Sequence, residues 1–485
     1  MSAELTASST RPAVSNGTRH TTAILAVILI SYFMILLDNS IIFTAIPKIQ
    51  AAMHLSSAGL AWVQDAYTLV FGGLLLLGAR AGDLLGRRRV FVFGLAVFAT
   101  ASLLVGLSPA GWWLIAARGV QGIGAAIVAP SSLSILTASF AEGRERAKAV
   151  ALYGATAGIG ASLGLVIGGA AADWVSWRAG FFINVPIGAI MILLAPRFLP
   201  ESTQARGRFD LTGALAATLG TGFVVYGIIR SADAGWTAAS TVIPLIAGAV
   251  LLAVLVLAER RTTQPIMPLR LFGSRVRTGA YLARMLYLGA MIGFFFYSTQ
   301  YLQGVLGFSA FQAGVAFFPM TVVNFAVALT IPRLTARLGQ AVPLTAGVAL
   351  TLGGMTWLAQ VQPASSYWTA VALPMVLIGA GQGLAFAPLT SAGIAGVSPA
   401  DAGAASGLVN TFHQLGSALG LGVLVAVSAA AGHGLTAGAM LTAHVQAALV
   451  AGSCLLGACL LTVLVLILPG HLRFRPTVYD IKEKG

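Results

Sequence analysis

Four ionisable side chains lie inside strongly apolar stretches of this sequence, where charge is costly and usually has a function. They are Asp38, Asp65, Arg118 and His413. A carboxylate in apolar surroundings can bind and release a proton near neutral pH, and imidazole titrates in the same range. We therefore expect these residues to couple proton movement to another process. Asp38, Asp65 and Arg118 should form one cluster whose pairing changes when a proton or a substrate arrives.

Structural interpretations of these charges are also open. Asp38 could hydrogen-bond a neighbouring helix as the neutral acid, or form a permanent ion pair with Arg118. Asp65 could simply face water at the nearer membrane surface. The sequence alone does not choose between these alternatives.

A second set of candidates consists of polar residues on otherwise apolar segments. Such side chains usually face a cavity or hydrogen-bond another helix. We expect a substrate cavity lined by Tyr297, Gln300, Tyr301, Asn324, Gln382 and Asn410.

The elements that carry these residues are predicted to be membrane helices. The chain has 485 residues, of which 58% are hydrophobic and 9% are charged, and its mean hydropathy is +0.89. Its 28 basic and 14 acidic residues cannot cover the surface of a soluble protein of this length. A bilayer core about 30 Å thick needs roughly 20 apolar residues per helix. Fourteen segments meet this need: 24–47, 58–79, 90–108, 112–136, 148–172, 179–197, 211–230, 241–258, 280–303, 311–332, 342–360, 367–392, 404–429 and 446–468.

The net charge of +14 predicts an orientation. With the N-terminus in the cytoplasm, about 23 of the 28 Lys and Arg residues fall on the cytoplasmic side. The positive charge therefore indicates membrane topology and does not indicate a nucleic-acid partner. Both termini are predicted to be cytoplasmic in a multi-pass protein of the plasma membrane.

An internal repeat predicts two related halves. The sequence RAGDLLG at 80–86 returns in degenerate form as RLTARLG at 333–339, with Asp83 replaced by Ala336. Parallel halves of six helices are one known arrangement of secondary transporters. We expect an all-α fold of two six-helix bundles with two inserted central helices. The predicted divisions are a disordered tail (1–23), a first bundle (24–197), a two-helix insert with a cytoplasmic loop (198–279), a second bundle (280–468) and a cytoplasmic tail (469–485).

Several phrases of the sequence resemble the major facilitator superfamily, in particular its branch of fourteen-helix drug:proton antiporters. The segment at 80–89 is similar to the family signature GxLaDrxGrr. Further matches are LDNSIIFTAIPKI, WVQDAYTL, RGVQGIGAA, WRAGFFINVPIG and YLQGVLGFSAFQAGVAFFP, of which the last two are much more specific to this branch. The resemblance implies export of drugs in exchange for protons, and a proton-coupling role for Arg118.

Two mechanical elements are also predicted, the first from the resemblance and the second from glycine spacing. The first is a cytoplasmic latch between the halves, predicted on the loop after helix 2 and formed by Arg80, Asp83, Gly86, Arg87 and Arg88. The second is a packing groove or gate on helix 5, where glycines recur at Gly160, Gly164, Gly168 and Gly169. The family's antiporters tend to have proline where Leu165 stands, so a kink of helix 5 is not expected with the same strength.

The sequence lacks the motifs of several other function classes. It contains no GxxxxGK[ST] and no HExxH, so neither ATP coupling nor a zinc site is predicted, and no cofactor is expected. The predicted function is a monomeric, proton-coupled antiporter for small amphipathic organic compounds, not an enzyme. The alternatives are a dedicated exporter of an endogenous metabolite or lipid, and a membrane sensor or scaffold that transports nothing.

Overall fold

The computed structural model describes residues 17–140, 143–202, 209–262, 265, 267–398, 401–432 and 434–469. The ends of both predicted tails lie outside these residues. The α-helices are α1 Gly17–Met53, α2 Ser57–Leu85, α3 Arg87–Gly106, α4 Gly111–Ser139, α5 Arg144–Trp174, α6 Trp177–Phe182, α7 Asn184–Phe198, α8 Leu211–Ala234, α9 Ala239–Arg261, α10 Arg275–Gly304, α11 Ala310–Val315, α12 Phe318–Ala328, α13 Ile331–Leu338, α14 Ala341–Leu358, α15 Leu373–Gly393, α16 Ala402–Ala429 and α17 Ala437–Thr462. Leu269–Gly273 is a 3-10 turn, and Trp368–Ala372 and Val463–Ile467 are π-helical.

Fourteen of the described spans are long and apolar enough to cross a membrane, which confirms the predicted number. Two spans contain a break: α6 and α7 together form Trp177–Phe198, and α11 and α12 together form Ala310–Ala328. Pro186 and Pro319 lack the N–H group that would bond to the carbonyl four residues earlier, and these carbonyls belong to Phe182 and Val315, the last residues of α6 and α11. From hydropathy alone, each of these two pairs is predicted as one continuous apolar helix.

The helices extend further than the apolar segments at several ends. The segment 80–85 was predicted as a loop but is the last part of α2, and only Gly86, with φ of +100°, separates it from α3. Similarly, α1 begins at Gly17, inside the predicted disordered tail. Charged residues leave the hydrocarbon region without stopping backbone hydrogen bonding, so a hydropathy pattern ends before the helix does.

The helices form two bundles of six with a pair between them in sequence. In the N-terminal bundle α2 and α3 pack on α4, and α1 packs on α5; in the C-terminal bundle α10 packs on α16 and α17, and α14 on α15. The inserted helices α8 and α9 pack on each other, and α8 also contacts α2 and α16. The insert therefore lies along a seam where the two bundles meet. We call the end with the α2–α3 turn the basic end, and the end with the α1–α2 turn the opposite end.

The glycines of α5 let another helix approach closely. A Cβ added at Gly160, Gly164 or Gly168 would lie less than 3.0 Å from α1 atoms. These three positions thus hold α1 against α5 within one bundle. Gly169 lies on another face, where its Cβ would be 2.3 Å from the carbonyl oxygen of Ala310 in the C-terminal bundle.

We predict that Gly164→Val destabilises the N-terminal bundle. The added Cβ would lie 2.6 Å from the Cβ of Ser40 and 2.8 Å from the carbonyl oxygen of Leu37. Overpacking of this kind typically costs about 1–3 kcal/mol. The melting temperature in detergent should fall by several degrees. The matched control is Gly154→Val on the same helix, where an added Cβ meets nothing within 4 Å; an equal fall in both variants would contradict the packing argument.

Candidate functional site

A fully buried ion pair lies in the N-terminal bundle. Arg118 of α4 donates from Nη1 to Oδ2 of Asp38 on α1 at 2.7 Å, and neither side chain is exposed. The guanidinium also donates from Nε to the carbonyl oxygen of Val63 at 3.1 Å and lies 4.3 Å from the ring centroid of Tyr67. A buried pair is stable only when most of its remaining donors and acceptors are satisfied.

Two amides complete the environment of Asp38. Gln121 donates from Nε2 to Oδ1 at 2.8 Å, and Asn184 donates from Nδ2 to the same oxygen at 2.8 Å. Ser102 accepts a second bond from Gln121 at 2.7 Å, and Gln121 accepts from Arg118 at 2.7 Å. The network joins α1, α3, α4 and α7. Any change in the charge of Asp38 therefore changes the contacts of four helices.

The sequence interpretation did not identify Asn184 as part of the site. Asn184 lies at the break between α6 and α7, and the chain separates it from Asp38 by 146 residues. A polar residue next to a helix break was the available signal. Ser102 carried none, because serine is common in membrane helices.

Asp65 is not a member of the paired cluster. It is fully buried, but neither carboxylate oxygen has a hydrogen-bond partner among the described residues. The predicted three-residue cluster is thus wrong in this conformation, and so is the alternative that Asp65 faces water. Its neighbour Gln64 bonds to Asn39 at 3.1 Å. A bare carboxylate in such a place carries a high free-energy cost unless it is protonated.

His413 lies in the other bundle and contacts a residue that the sequence interpretation missed. Its Nδ1 is 3.1 Å from Nη2 of Arg284 on α10. Arg284 is 3% exposed. The available signal was the same as for Arg118, a basic residue inside an apolar span. The structure therefore separates the four predicted proton-coupling residues into one pair, one lone carboxylate and one histidine beside an arginine.

Three of the predicted latch residues, Asp83, Arg87 and Arg88, bind residues of the N-terminal bundle and of the short segment after α7. Asp83 accepts from Arg87 Nη2 at 3.0 Å across the Gly86 turn, and Arg87 donates to the Ser134 carbonyl oxygen of α4 at 3.4 Å. Arg88 forms an ion pair with Glu201 at 3.4 Å. Glu201 and Ser202 also accept from the backbone N–H groups of Arg88 and Arg87 and so cap α3. Glu201 was not foreseen.

Two of the predicted cavity residues instead join helices. Tyr297 lies 2.6 Å from Ser428 Oγ on α16, and Tyr301 donates to the carbonyl oxygen of Gln362 at 2.6 Å; both side chains are buried. Their assignment to a cavity is wrong here, because a buried phenol needs a partner and both find one in protein. Gln300 bonds to the Phe296 carbonyl of its own helix at 3.1 Å.

The other three predicted cavity residues are more open. Asn410 is exposed and donates to the Ser406 carbonyl at 3.1 Å. Asn324 and Gln382 are half-buried, and Gln382 Oε1 has no hydrogen-bond partner among the described residues. No group of three or more His, Cys, Asp or Glu side chains in the described ranges could hold a metal ion.

The two bundles are fastened together at the opposite end. Asp173, near the end of α5, pairs with Lys48 at 2.7 Å and accepts from the backbone N–H groups of Ala310 and Phe311 at 3.3 and 2.7 Å. These last two groups begin α11, so a carboxylate of one bundle caps a helix of the other. Gln303 adds a bond to the Thr44 carbonyl at 3.0 Å.

Known proteins support one family assignment. The model of the Major Facilitator Superfamily matches residues 28–421. The chain belongs to this superfamily of membrane transporters. The cephamycin export protein CmcT of Amycolatopsis lactamdurans is 40% identical over 82% of this chain and 83% of its own. The puromycin resistance protein pur8 of Streptomyces alboniger is 36% identical over 90% and 89%. The multidrug resistance protein Stp of Mycobacterium tuberculosis is 35% identical over 82% and 74%.

Solved structures agree on the fold. A bacterial homologue of the human lysosomal transporter Spinster, inward-facing and unoccupied, aligns with a TM-score of 0.67 and 15% identity over 95% of this chain and 99% of its own. The nucleoside transporter NupG aligns with a TM-score of 0.64 and 12% identity over 92% and 99%. At these identities the likeness concerns the fold alone.

We predict that Asp173→Ala separates the two bundles at the opposite end of this transporter. The substitution removes both acceptors of the α11 cap, whereas Lys48 contacts only its own bundle. Spin labels at the exposed positions Ser57 and Ser366 should report a longer mean distance in Asp173→Ala. Lys48→Met breaks the same ion pair but keeps the cap, so its distance should change much less. Equal lengthening in the two variants would assign the closure to the ion pair instead.

Proposed function

We propose that this chain is a proton-coupled antiporter that exports small amphipathic organic compounds, antibiotics among them. The observation that carries the proposal is the buried Asp38–Arg118 pair, a titratable carboxylate held by an arginine inside the membrane region. The relatives named for cephamycin export and puromycin resistance support a substrate of antibiotic size.

Coupling follows from the bonds of Asp38. When Asp38 binds a proton, Arg118 loses its counter-charge, and the four-helix network must rearrange. Release of the proton restores the pair. Each turnover thus alternates between two arrangements of the same helices. The proton shifts the equilibrium between them because it favours one arrangement over the other.

Asp65 provides a second proton site in this proposal. It is buried without a hydrogen-bond partner among the described side chains, and Nη2 of Arg118 also has none there. A deprotonated Asp65 would gain most from moving toward that guanidinium. Asp65 and Asp38 then compete for one arginine, which links two carboxylates to the conformation of α2 and α4.

Orientation and assembly are part of the proposal. The basic end faces the cytoplasm, with both chain termini there, because Lys and Arg concentrate at that side. The protein works as a monomer in the plasma membrane. Its first bundle spans 24–197, its two-helix insert 198–279 and its second bundle 280–468.

α5 contacts the C-terminal bundle from Gly158 onward, while a Cβ at Gly154, one turn nearer the basic end, meets nothing within 4 Å. Closure at the opposite end and this open space support a conformation open to the cytoplasm.

We predict that Asp38→Asn abolishes gradient-driven transport while leaving substrate exchange. Asparagine keeps the hydrogen-bonding shape but cannot titrate near neutral pH. In proteoliposomes, accumulation of a cephamycin or of puromycin driven by a pH gradient should fall at least about tenfold, a change equivalent to about 1.4 kcal/mol. Exchange of labelled for unlabelled compound, which needs no gradient, should continue.

The control is Asp401→Asn. Asp401 pairs with Arg270 outside the membrane spans, and the hydrogen bond from Arg270 holds the pKa of Asp401 below its ordinary value. This variant should retain gradient-driven transport. Transport that persists unchanged when the gradient is collapsed would disprove the antiport mechanism, and a protein that moves no compound at all would favour the sensor or scaffold.

A second prediction concerns the latch. Asp83→Asn should slow turnover while leaving equilibrium substrate binding largely intact, because Asp83 bonds Arg87 at the basic end. Turnover in proteoliposomes and binding in nanodiscs measure the two effects separately. Loss of binding would instead place Asp83 in the substrate site and exclude a role in gating.

A further inference from the structure

We propose that Arg284 forms a binding site for a carboxylate, so that this transporter accepts amphipathic monoanions. This inference rests on the proposed function and specifies the substrate class. Arg284 lies nine residues after the start of α10, about 14 Å from the basic end at 1.5 Å per residue. It therefore sits inside the membrane region, in the bundle that lacks the Asp38–Arg118 pair.

No carboxylate of the described residues pairs with the guanidinium of Arg284. The ion pairs in the described part of the chain join other residues, and no Asp or Glu lies within 4.0 Å of this guanidinium. Its contacts are neutral: Nη1 donates to Thr390 Oγ1 at 3.1 Å and to the Phe386 carbonyl oxygen at 3.5 Å. Nε has no partner among the described residues. Arg118, equally buried, has a carboxylate at 2.7 Å, so the two bundles differ in this respect.

The contact with His413 leaves the positive charge of Arg284 unneutralised. Arginine can only donate hydrogen bonds, so Nδ1 of His413 must accept the bond from Nη2, and the proton of the neutral ring lies on Nε2. The ring thus satisfies one N–H of Arg284 without neutralising its charge. Nε2–H points away from Arg284, because the two nitrogens of an imidazole point in divergent directions. A carboxylate that reached this place would bind the remaining N–H groups of the guanidinium.

The surroundings favour an amphipathic molecule. The guanidinium carbon lies 3.8 Å from the ring centroid of Phe386, which is 36% exposed. Asn410, one helical turn from His413 on α16, is exposed. The aromatic face of Phe386 therefore borders the guanidinium of Arg284.

A carboxylate fits this site better than other charged groups. The planar guanidinium binds a carboxylate through two parallel hydrogen bonds, and one arginine balances one negative charge. A doubly charged phosphate would remain partly unbalanced. A cationic compound would be repelled by Arg284, so its binding would have to depend on Asp38 or Asp65.

The test is a binding titration with one probe in two charge states. The full chain in nanodiscs is titrated with N-dansylphenylalanine and with its methyl ester, which differ in the carboxylate charge. We expect the acid to bind at least about tenfold more tightly than the ester, because hydrogen bonds from the guanidinium to a carboxylate are stronger than those to a neutral ester. In Arg284→Gln the two affinities should become equal, while Arg284→Lys should keep part of the preference. Arg333→Gln, an exposed arginine on α13, is the control and should keep it fully.

A second pair of variants leaves Arg284 in place. His413→Asp puts a carboxylate oxygen close to the position of Nδ1, so the chain itself should occupy the guanidinium, abolish the acid preference and raise the melting temperature. His413→Asn has nearly the same shape without the charge and should lower the preference only a few-fold. This pair decides the question if Arg284→Gln does not fold.

The proposal is overturned if the wild-type chain binds the acid no more tightly than the ester, or if the preference survives both Arg284→Gln and His413→Asp. The titration requires no gradient. A chain that binds the acid through Arg284 but transports nothing would contradict the proposed antiport and leave the carboxylate site standing.

Discussion

The cost of burying charge in a membrane governs the arrangement of this protein. Asp38 and Arg118 are both fully buried, and each would be prohibitively costly alone. Gln121 and Asn184 supply the remaining hydrogen bonds of the carboxylate, so side chains of α4 and α7 converge on one group of α1. The same constraint underlies the proposed switch, because a single proton on Asp38 would remove the interaction that the surrounding side chains are arranged to satisfy.

Helix α5 contacts its own bundle along one face and the other bundle near its end. Gly160, Gly164 and Gly168 bring α1 within van der Waals distance in the same bundle. Gly169 and Asp173, on the last turns of α5, contact α11 of the other bundle instead. One helix thus packs against its own bundle on one face and against the other bundle on its last turns. The bonds of Asp173 and the bond from Gln303 to Thr44 are polar contacts of that closure.

The sequence was sufficient for the fold and insufficient for the contacts. Fourteen apolar segments and a repeated motif predicted the helices and the two halves, because membrane spans must satisfy length and hydropathy locally. Partners depend on which helix faces meet, which no single segment encodes. Hence Asp38 and Arg118 form the predicted pair, whereas Asp65 has no hydrogen-bond partner among the described residues in this conformation. The hydroxyl groups of Tyr297 and Tyr301 hydrogen-bond other parts of the protein and do not line a cavity. Arg284 was not predicted as a site residue, although it is a basic residue inside an apolar span, as Arg118 is.

The N-terminal bundle contains two buried carboxylates, whereas the C-terminal bundle contains a buried arginine without a carboxylate partner among the described residues. Helix α1 connects the two bundles. In the proposed mechanism Asp38 and Asp65 give the N-terminal bundle a site for protons, whereas Arg284 of the C-terminal bundle has no carboxylate partner among the described residues. Asp38 and Phe43 both lie on α1, and the ring of Phe43 stacks on Phe295 of α10, the helix that carries Arg284, with ring centroids 5.4 Å apart. A proton on Asp38 would release α1 from Arg118, and a shift of α1 would reach α10 through this contact. Proton and substrate would then not compete for one residue, because the position of a shared helix would couple them.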